Sequence, residues 1–191
     1  MEKELKSPVY SHDVLEFVTV AVQFCVYLES SESKTRQEFT STMLKLLPLL
    51  YLKGSLLPKF MADEEEEPET FVTEENYEII RTNISRVMGE HDAYLDVFVE
   101  DMKYSDTPIL MTVSENLSDI YQDLKNFVYA YKLGVEERMM EALALCKENF
   151  ETYWGQRTVN VMRALHDVMY NHKREDFEDE EYGYDYNQGE I

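Results

Sequence analysis

The stretch Ser114-Glu-Asn-Leu-Ser-Asp-Ile-Tyr-Gln-Asp-Leu-Lys-Asn-Phe-Val-Tyr-Ala-Tyr-Lys-Leu133 decides the fold. Its apolar side chains recur every third or fourth residue, which is the spacing of a helix with one buried face. That face comprises Leu117, Ile120, Tyr121, Leu124, Phe127, Val128 and Tyr131. Gly134 follows directly, and glycine commonly ends helices because it adopts the left-handed conformation without strain. The pattern predicts an amphipathic helix over Ser114–Leu133.

Helical spacing extends outward from this stretch in both directions. Ser11 is a possible N-cap for a helix to about Ser30, whose apolar side chains cover most of its circumference. A helix with that distribution is typical of a bundle centre. Thr35-Arg-Gln-Glu38 has the form of a capping box and predicts a helix to about Leu52, which Pro48 should kink or end near Leu47.

Three more helices are predicted around the central stretch. Thr73 is expected to cap a helix that runs to about Met88 and stops at Gly89. Two others cover roughly 135–152 and 156–173, with Trp154-Gly155 as a bend or short connection between them. The segment 90–107 is interpreted as an irregular loop, although 93–99 could also form a short strand or a helical turn.

The fold class that follows is all-α: an irregular bundle of about six helices in a single domain over residues 1–174. The helices Ser11–Ser30 and Ser114–Leu133 are expected at its centre. Only 6 Gly and 5 Pro occur in 191 residues, which favours long regular elements over a turn-rich β fold.

The net charge of −21 is concentrated in two segments. Residues 63–69, within a predicted acidic loop 59–72, carry six acids, and residues 175–191 carry eight, without a base in either. The second segment is Tyr-rich and lacks any helical or strand period, so we expect a disordered acidic tail. Two thirds of the net charge lies in these segments. Without clustered Lys and Arg, nucleic acid and anionic membrane surfaces are not expected as partners.

Several features point to the cytoplasm. Cys25 and Cys146 lie in apolar stretches without metal-ligand spacing, as expected for buried thiols in a reducing compartment. The first residues lack the apolar core of a signal peptide. The most apolar stretch, Val14–Leu28, is too short and too polar to span a bilayer.

The central helix carries a carboxylate stripe, Glu115, Asp119 and Asp123, at intervals of four residues. Two facing stripes of this kind can hold a di-metal centre, usually with Glu-x-x-His pairs. The chain contains no Glu-x-x-His or Asp-x-x-His sequence. Because the stripe lies opposite the apolar face, we interpret it as a solvated surface, and neither metal nor cofactor is predicted.

The last helix brings an aromatic ring and two possible cations together. Trp154, Arg157 and His166 could hold an anion or a stacked ring. The favoured interpretation is structural: Trp154 fills the core and Arg157 pairs with one of the many acids. Tyr121, at helical spacing, is expected in the core or at its rim.

Three blocks of sequence carry a family resemblance. They are Leu47-Pro-Leu-Leu-Tyr-Leu-Lys53, Ser114 to Phe127, and Tyr153-Trp-Gly-Gln-Arg157 with Arg163-Ala-Leu-His166. Together they resemble an uncharacterised bacterial family of helical proteins classed as a domain of unknown function. The resemblance implies a helical cytoplasmic domain and no activity. It singles out Glu115, Asp119, Tyr121, Asp123, Trp154, Arg157 and His166 as ligand-binding candidates.

Two functional hypotheses remain. The first is a non-enzymatic interaction or regulatory module, whose partner would be a protein with a basic surface. The second is a ligand- or metal-binding bundle, conceivably an enzyme, that uses the carboxylate stripe with Arg157 and His166. The second requires Asp119, Asp123, Arg157 and His166 to converge in one concave site.

Overall fold

The protein is an all-α bundle, as predicted. The computed structural model describes residues 7–59, 70–96 and 109–171. Six α-helices occur in this part of the chain: α1 (His12–Glu29), α2 (Arg36–Ser55), α3 (Glu74–Met88), α4 (Val113–Leu133), α5 (Glu136–Asn149) and α6 (Gly155–Tyr170). A short 3-10 turn at Pro8–Tyr10 precedes α1, a second at Ser31–Ser33 connects α1 to α2, and a third at Gly89–Asp92 leads from α3 into a small β-ribbon.

Helix α4 lies at the centre of the bundle. It packs against α1, α3, α5 and α6, and its side chains Leu117, Ile120 and Leu124 have no exposed surface. Helix α1, the other helix expected at the centre, packs against α2 and α4 and buries Phe17, Phe24 and Leu28, although it leaves Leu15 and Val26 about half exposed. Apolar burial of this kind is the main stabilising contribution to the fold.

The capping residues set the helix boundaries as expected. The Thr35 hydroxyl oxygen accepts a hydrogen bond from the backbone N–H of Glu38, and Thr73 does the same for Asn76, each at 3.2 Å. Gly134 ends α4 with a φ of 72°, a left-handed conformation that favours glycine. Ser11 occupies the N-cap of α1, but its side chain makes no capping hydrogen bond.

Pro48 does not end α2, so of the two predicted effects of this proline, a kink or a helix end, the second does not occur. The helix continues to Ser55. Pro48 itself is exposed, whereas Leu47 and Leu50 on either side are fully buried. Core packing on both sides of the proline therefore outweighs the loss of one helical hydrogen bond.

A short antiparallel ribbon replaces part of the predicted loop 90–107. Strand β1 (Ala93–Leu95) pairs with β2 (Leu110–Thr112), with Tyr94 opposite Met111. The loop interpretation was therefore wrong for the start of this segment, where the alternative of a short strand holds. Residues 97–108 lie outside the described residues.

The expected break at Trp154-Gly155 is a π-turn. Residues Phe150–Trp154 form one π-helical turn that joins α5 to α6 without a loop. The Trp154 indole N–H donates to the carbonyl of Cys146 at 3.2 Å, and Gly155 is buried against Phe150. The wider turn changes which way α6 faces, and this determines the site described next.

The acidic segment 63–69 and the predicted tail 175–191 fall outside the described residues. Among the helices that are described, none combines the length and the apolar character needed to cross a membrane.

Candidate functional site

A network of polar side chains joins α3, α4 and α6 around Asp119. We call Tyr77, Asn116, Asp119, Tyr153 and Arg157 the Asp119 cluster. The Tyr77 hydroxyl donates to Oδ1 of Asp119 at 2.7 Å, and the Tyr153 hydroxyl donates to Oδ2 at 2.9 Å. Arg157 Nη1 lies 3.2 Å from the same Oδ2. The Asp119 carboxylate is therefore fully partnered.

Arg157 links this carboxylate to Asn116. Its Nη1 also donates to Oδ1 of Asn116, and its guanidinium lies 4.3 Å from the centre of the Tyr153 ring. The Arg157 side chain is 25% exposed and that of Asp119 is 15% exposed, so the ion pair is largely shielded from water. The π-turn makes this possible, because it places Tyr153 and Arg157, four residues apart, on the side of α4.

The phenols of the cluster act as hydrogen-bond donors. Burial, together with the bond to Asp119, raises the pKa of Tyr153 to about 12 and raises that of Tyr77 further. Both hydroxyls therefore keep their protons at neutral pH. Because both oxygens of the Asp119 carboxylate have partners, the cluster connects α3 and α6 to α4 in a fixed arrangement.

A groove opens one helical turn further along α4, between α4 and α5. It encloses about 640 Å³, including space open to solvent. Most of its wall is apolar, formed by residues such as Phe127, Ala130, Leu145 and Cys146. Two carboxylates, Asp123 from α4 and Glu141 from α5, are part of its lining.

Asp123 has an unusual environment for a carboxylate. Its Oδ1 accepts a hydrogen bond from the Asn149 amide at 3.1 Å, but its Oδ2 is buried without a hydrogen-bond partner. Burial, reinforced by the charge of Asp119, raises the pKa of Asp123 to about 6, although the Asn149 hydrogen bond opposes the shift. At neutral pH the group is therefore ionised in a place that penalises its charge.

Glu141 lines the same groove from the facing helix. Its Oε2 is also buried without a hydrogen-bond partner, and its closest ion-pair contact is Arg138 Nη1 at 3.5 Å. Two carboxylates therefore line the groove, and each has one buried oxygen without a hydrogen-bond partner. Arg138, which also lines the groove, supplies a positive charge near Glu141.

One wall of the groove is held from outside by the segment before α3. The backbone N–H groups of Phe71 and Val72 donate to Oδ1 of Asn126 at 2.8 and 2.9 Å. The Phe71 ring stacks on Tyr129 with 3.9 Å between ring centres. Asn126 and Tyr129 both line the groove, so these contacts fix the shape of its wall.

The only grouping of metal-ligand side chains among the described residues lies elsewhere. His12, Asp13 and Glu16 come together at the exposed start of α1. Glu16 already forms an ion pair with Lys53, whose Nζ lies 2.6 Å from Oε2 of Glu16. This trio therefore has the ligand types of a metal site but not the enclosure of one.

The structure separates the predicted site residues into three groups. The first comprises Asp119, Arg157 and Asp123, which lie at the cluster and the groove. The second is structural: Trp154 is fully buried with its ring 6.2 Å from that of Phe17, and the Tyr121 hydroxyl donates to Glu29. The third, Glu115 and His166, is exposed, and His166 contacts Tyr170.

The prediction that the carboxylate stripe is solvated was therefore wrong for two of its three members. Glu115 is exposed, but α3, α5 and the π-turn supply the partners that cover Asp119 and Asp123. The interpretation of Arg157 as the partner of an acid is confirmed, and so is that of Trp154 as a core residue. That the stripe residues bind a ligand stays a prediction.

Sequence reasoning missed Tyr77, Asn116, Tyr153, Glu141 and Asn149. Tyr77 and Tyr153 are two of fourteen tyrosines, and no spacing distinguishes those that reach Asp119 from the rest. For Glu141 and Asn149 a signal did exist. Together with Leu145 they recur at intervals of four residues on one face of α5.

Comparison with known proteins places the chain in a family. A model described as "Domain of unknown function (DUF5063)" matches residues 8–171. The crystal structure of protein BF1032 from Bacteroides fragilis, a structural-genomics target, is similar, with 47% identity and a TM-score of 0.76. That match covers 86% of this chain and 96% of the Bacteroides chain. None of the curated proteins compared with the chain matches it. The chain therefore belongs to the DUF5063 family, a bacterial all-helical family without an assigned function.

Proposed function

We propose that the protein is a non-enzymatic regulatory module that binds a small molecule through a protonated amine in the groove between α4 and α5. One observation carries the proposal: Oδ2 of Asp123 is buried at the groove without a hydrogen-bond partner. An ionised carboxylate in that position is costly to the fold, and a bound cation would relieve the cost.

The surroundings of Asp123 suit such a ligand. An ammonium group in the groove could pair with the Asp123 carboxylate, while the apolar wall formed by Phe127, Ala130 and Leu145 accepts a hydrocarbon body. Ionisable groups whose pKa is shifted by burial are concentrated at functional sites, and Asp123 is such a group. The overall net charge of −21 also favours the approach of cations.

The regulatory part of the proposal rests on the position of α4. This helix carries Asp123 towards the groove and Asp119, one turn earlier, into the cluster that joins α3 and α6. A ligand that neutralises Asp123 also changes the field at Asp119. Binding would therefore alter the helix contacts to which Asp119 contributes, and a partner protein could detect that change.

The binding test uses hexylamine as probe and 1-hexanol as its uncharged counterpart, each followed by backbone amide NMR shifts. Hexylamine is expected to change the backbone amide chemical shifts of groove residues such as Ala130 and Leu145, and 1-hexanol should change them much less. Asp123→Asn should weaken hexylamine binding at least tenfold. The matched control is Glu148→Gln, an exposed acid on α5 outside the groove, which should leave binding unchanged.

Equal binding of hexylamine by the Asp123→Asn variant would reject the proposal. A lysine side chain of a protein with a basic surface would present the same ammonium group. If a lysine-rich peptide displaced hexylamine and bound far more tightly, the ligand would be a protein and the small-molecule proposal would fail.

A cytoplasmic location is part of the same proposal. Both cysteines, Cys25 and Cys146, are buried free thiols, and unpaired thiols are the rule in reducing compartments. Fractionation of the native host, followed by immunodetection of the protein, tests this. Recovery outside the cytoplasmic fraction would contradict it.

A further inference from the structure

Helix α2 has apolar side chains on two opposite faces, of which only one is buried. Leu47 and Leu50 face the core and have no exposed surface. On the outer side, Leu49, Leu52 and, at the C-cap, Leu56 are 41%, 52% and 47% exposed. A surface helix normally carries polar residues opposite its buried face. The outer leucines therefore indicate that α2 contacts a second partner.

The outer leucines belong to a regular stripe. We call it the α2 stripe, and it consists of Lys45, Leu49, Leu52 and Leu56, at intervals of four, three and four residues. This is the spacing of the contact positions in a coiled coil. Ile79 on α3 differs, because it is half exposed but has only polar residues three and four positions away. Single exposed apolar residues are ordinary, whereas a contiguous stripe marks an interaction surface.

Helix α1 lies beside the stripe and widens the surface. Nζ of Lys53 is 2.6 Å from Oε2 of Glu16, so the start of α1 is adjacent to the end of α2. On the outer side of α1, Leu15 and Val26 are about half exposed. The two helices have 18 and 20 residues, so their joint outer face projects roughly 600 Å². Its accessible surface, which follows each side chain, is larger and approaches the approximately 800 Å² that each partner buries in a stable interface.

The α1–α2 hairpin is the neutral part of an acidic chain. Residues 12–59 contain five acids and five bases, so their formal net charge is zero, whereas the whole chain carries −21. Two copies of the chain therefore repel each other least when they meet through this hairpin. A strongly basic partner would be attracted to the acidic remainder of the chain instead. The charge distribution thus favours a second copy of this chain as the occupant of the stripe.

We infer that the protein forms a two-fold symmetric dimer in which α2 packs antiparallel against α2 of a second copy. The two-fold axis passes between Leu49 and Leu52, so that Leu49 of one protomer contacts the partner's Leu52 and the reverse. The inference is independent of the proposed function, because the groove is lined by residues of α4 and α5.

Lys45 favours the antiparallel arrangement over the parallel one. In the antiparallel pair, its aliphatic stem covers the partner's Leu56 and its ammonium group lies near the C-terminus of the partner's α2, the negative end of the helix dipole. In a parallel pair, each Lys45 would face the Lys45 of the other protomer, and the two positive charges would repel each other.

Sedimentation velocity of the full chain over a range of concentrations tests the dimer. The unmodified chain should dimerise reversibly with a Kd of about 1–100 μM, because the interface is of moderate size. Leu52→Glu should raise this Kd at least tenfold, since it places a carboxylate in the apolar stripe. The matched control is Ile79→Glu, the same kind of change at a half-exposed residue of α3, which should leave the Kd unchanged.

Cysteine cross-linking tests the orientation without adding a charge to the stripe. A mixture of the Leu49→Cys and Leu52→Cys variants should form disulfide-linked dimers faster than either variant alone, because antiparallel pairing brings position 49 next to the partner's position 52. Parallel pairing would instead link each variant to itself. The native thiols of Cys25 and Cys146 are buried and do not compete.

Three results would overturn the inference. The first is a full chain that remains monomeric at about 200 μM, above the expected Kd, which would leave the stripe to a different protein or to water. The second is a dimer that Leu52→Glu and Ile79→Glu weaken equally. The third is cross-linking that is fastest within a single variant. Hexylamine binding in the groove is measured separately, so each of these results leaves the proposed function standing.

Discussion

At the scale of single residues, Asp123 is the side chain whose environment fits its chemistry least well. Burial raises its pKa from 3.8 to about 6, so the folded protein holds the proton more tightly than the unfolded chain does. The free energy of unfolding therefore falls as pH rises from about 4 to about 6 and stays lower above that range. Sites that bind ligands often carry such a cost in the absence of ligand.

Asp123→Asn removes this charge while keeping the shape and the acceptor for Asn149. The substitution should stabilise the fold by about 1–2 kcal/mol at about pH 7.5. This is less than the free energy that corresponds to the whole change in the pKa of Asp123, because the site is partly open to water. At about pH 3, where the aspartate is mostly protonated in both the folded and the unfolded protein, the effect should be close to zero. Urea unfolding at the two pH values measures this, and equal effects at both would contradict the account.

Arg157 is the residue on which the Asp119 cluster depends most. Arg157→Ala leaves Asp119 without its positive partner and Oδ1 of Asn116 without its donor, and should destabilise the fold by about 2–3 kcal/mol. Arg81 provides a matched control because it forms an exposed ion pair with Glu78, so Arg81→Ala should cost no more than about 0.5 kcal/mol. Denaturant unfolding midpoints measure the stability of both variants. A similar loss of stability in Arg157→Ala and Arg81→Ala would show that the cluster contributes no more than an exposed ion pair.

The sequence indicates some of these residues but not their environment. Asp119 and Arg157 are identifiable because they lie in conspicuous blocks and carry opposite charges. The burial of Asp123 cannot be identified from the sequence, because the amphipathic pattern of α4 predicts that its polar face is exposed to water. The partners that cover that face come from α3, α5 and the π-turn, and no local pattern in α4 encodes them.

At the scale of elements, the π-turn at Phe150–Trp154 determines how α6 meets α4. Gly155 is essential to it, because a Cβ there would lie 2.3 Å from the carbonyl oxygen of Phe150. The turn carries Tyr153 and precedes Arg157 by one helical turn. Its geometry therefore positions both Asp119 partners that come from this end of the chain.

Gly155→Ala should force this turn out of its π geometry and destabilise the fold by about 2–3 kcal/mol. Thr152→Ala is a suitable control, since Thr152 lies in the same turn but is exposed, and its cost should stay below about 1 kcal/mol. Thermal unfolding measures the difference. A Gly155→Ala protein as stable as the control would mean that the turn relaxes easily.

Helix positions follow well from local signals, whereas two other features do not. The caps at Thr35 and Thr73 and the stop at Gly134 are short-range effects, which is why the predicted boundaries are close to the observed ones. The pairing of Ala93–Leu95 with Leu110–Thr112 joins segments that are distant in sequence. The continuation of α2 through Pro48 likewise depends on packing that surrounds the proline.

At the scale of the whole molecule, the protein is a bundle built around α4, which carries core residues on one side and the carboxylates of Asp119 and Asp123 on the other. Composition alone indicates an acidic helical domain. It does not reveal that a largely apolar groove lined by the carboxylates of Asp123 and Glu141 lies between α4 and α5. That arrangement arises only when the α4–α5 hairpin closes through Gly134.

The central claim is that Asp123 is an unpaired, buried carboxylate that receives a cationic ligand. A carboxyl ¹³C NMR titration of Asp123, with and without hexylamine, tests it most directly. The account predicts a pKa of about 6 in the free protein. Bound hexylamine should lower that pKa, because a neighbouring cation stabilises the ionised form. A pKa at the ordinary aspartate value in the free protein, or one that hexylamine does not change, would contradict the account.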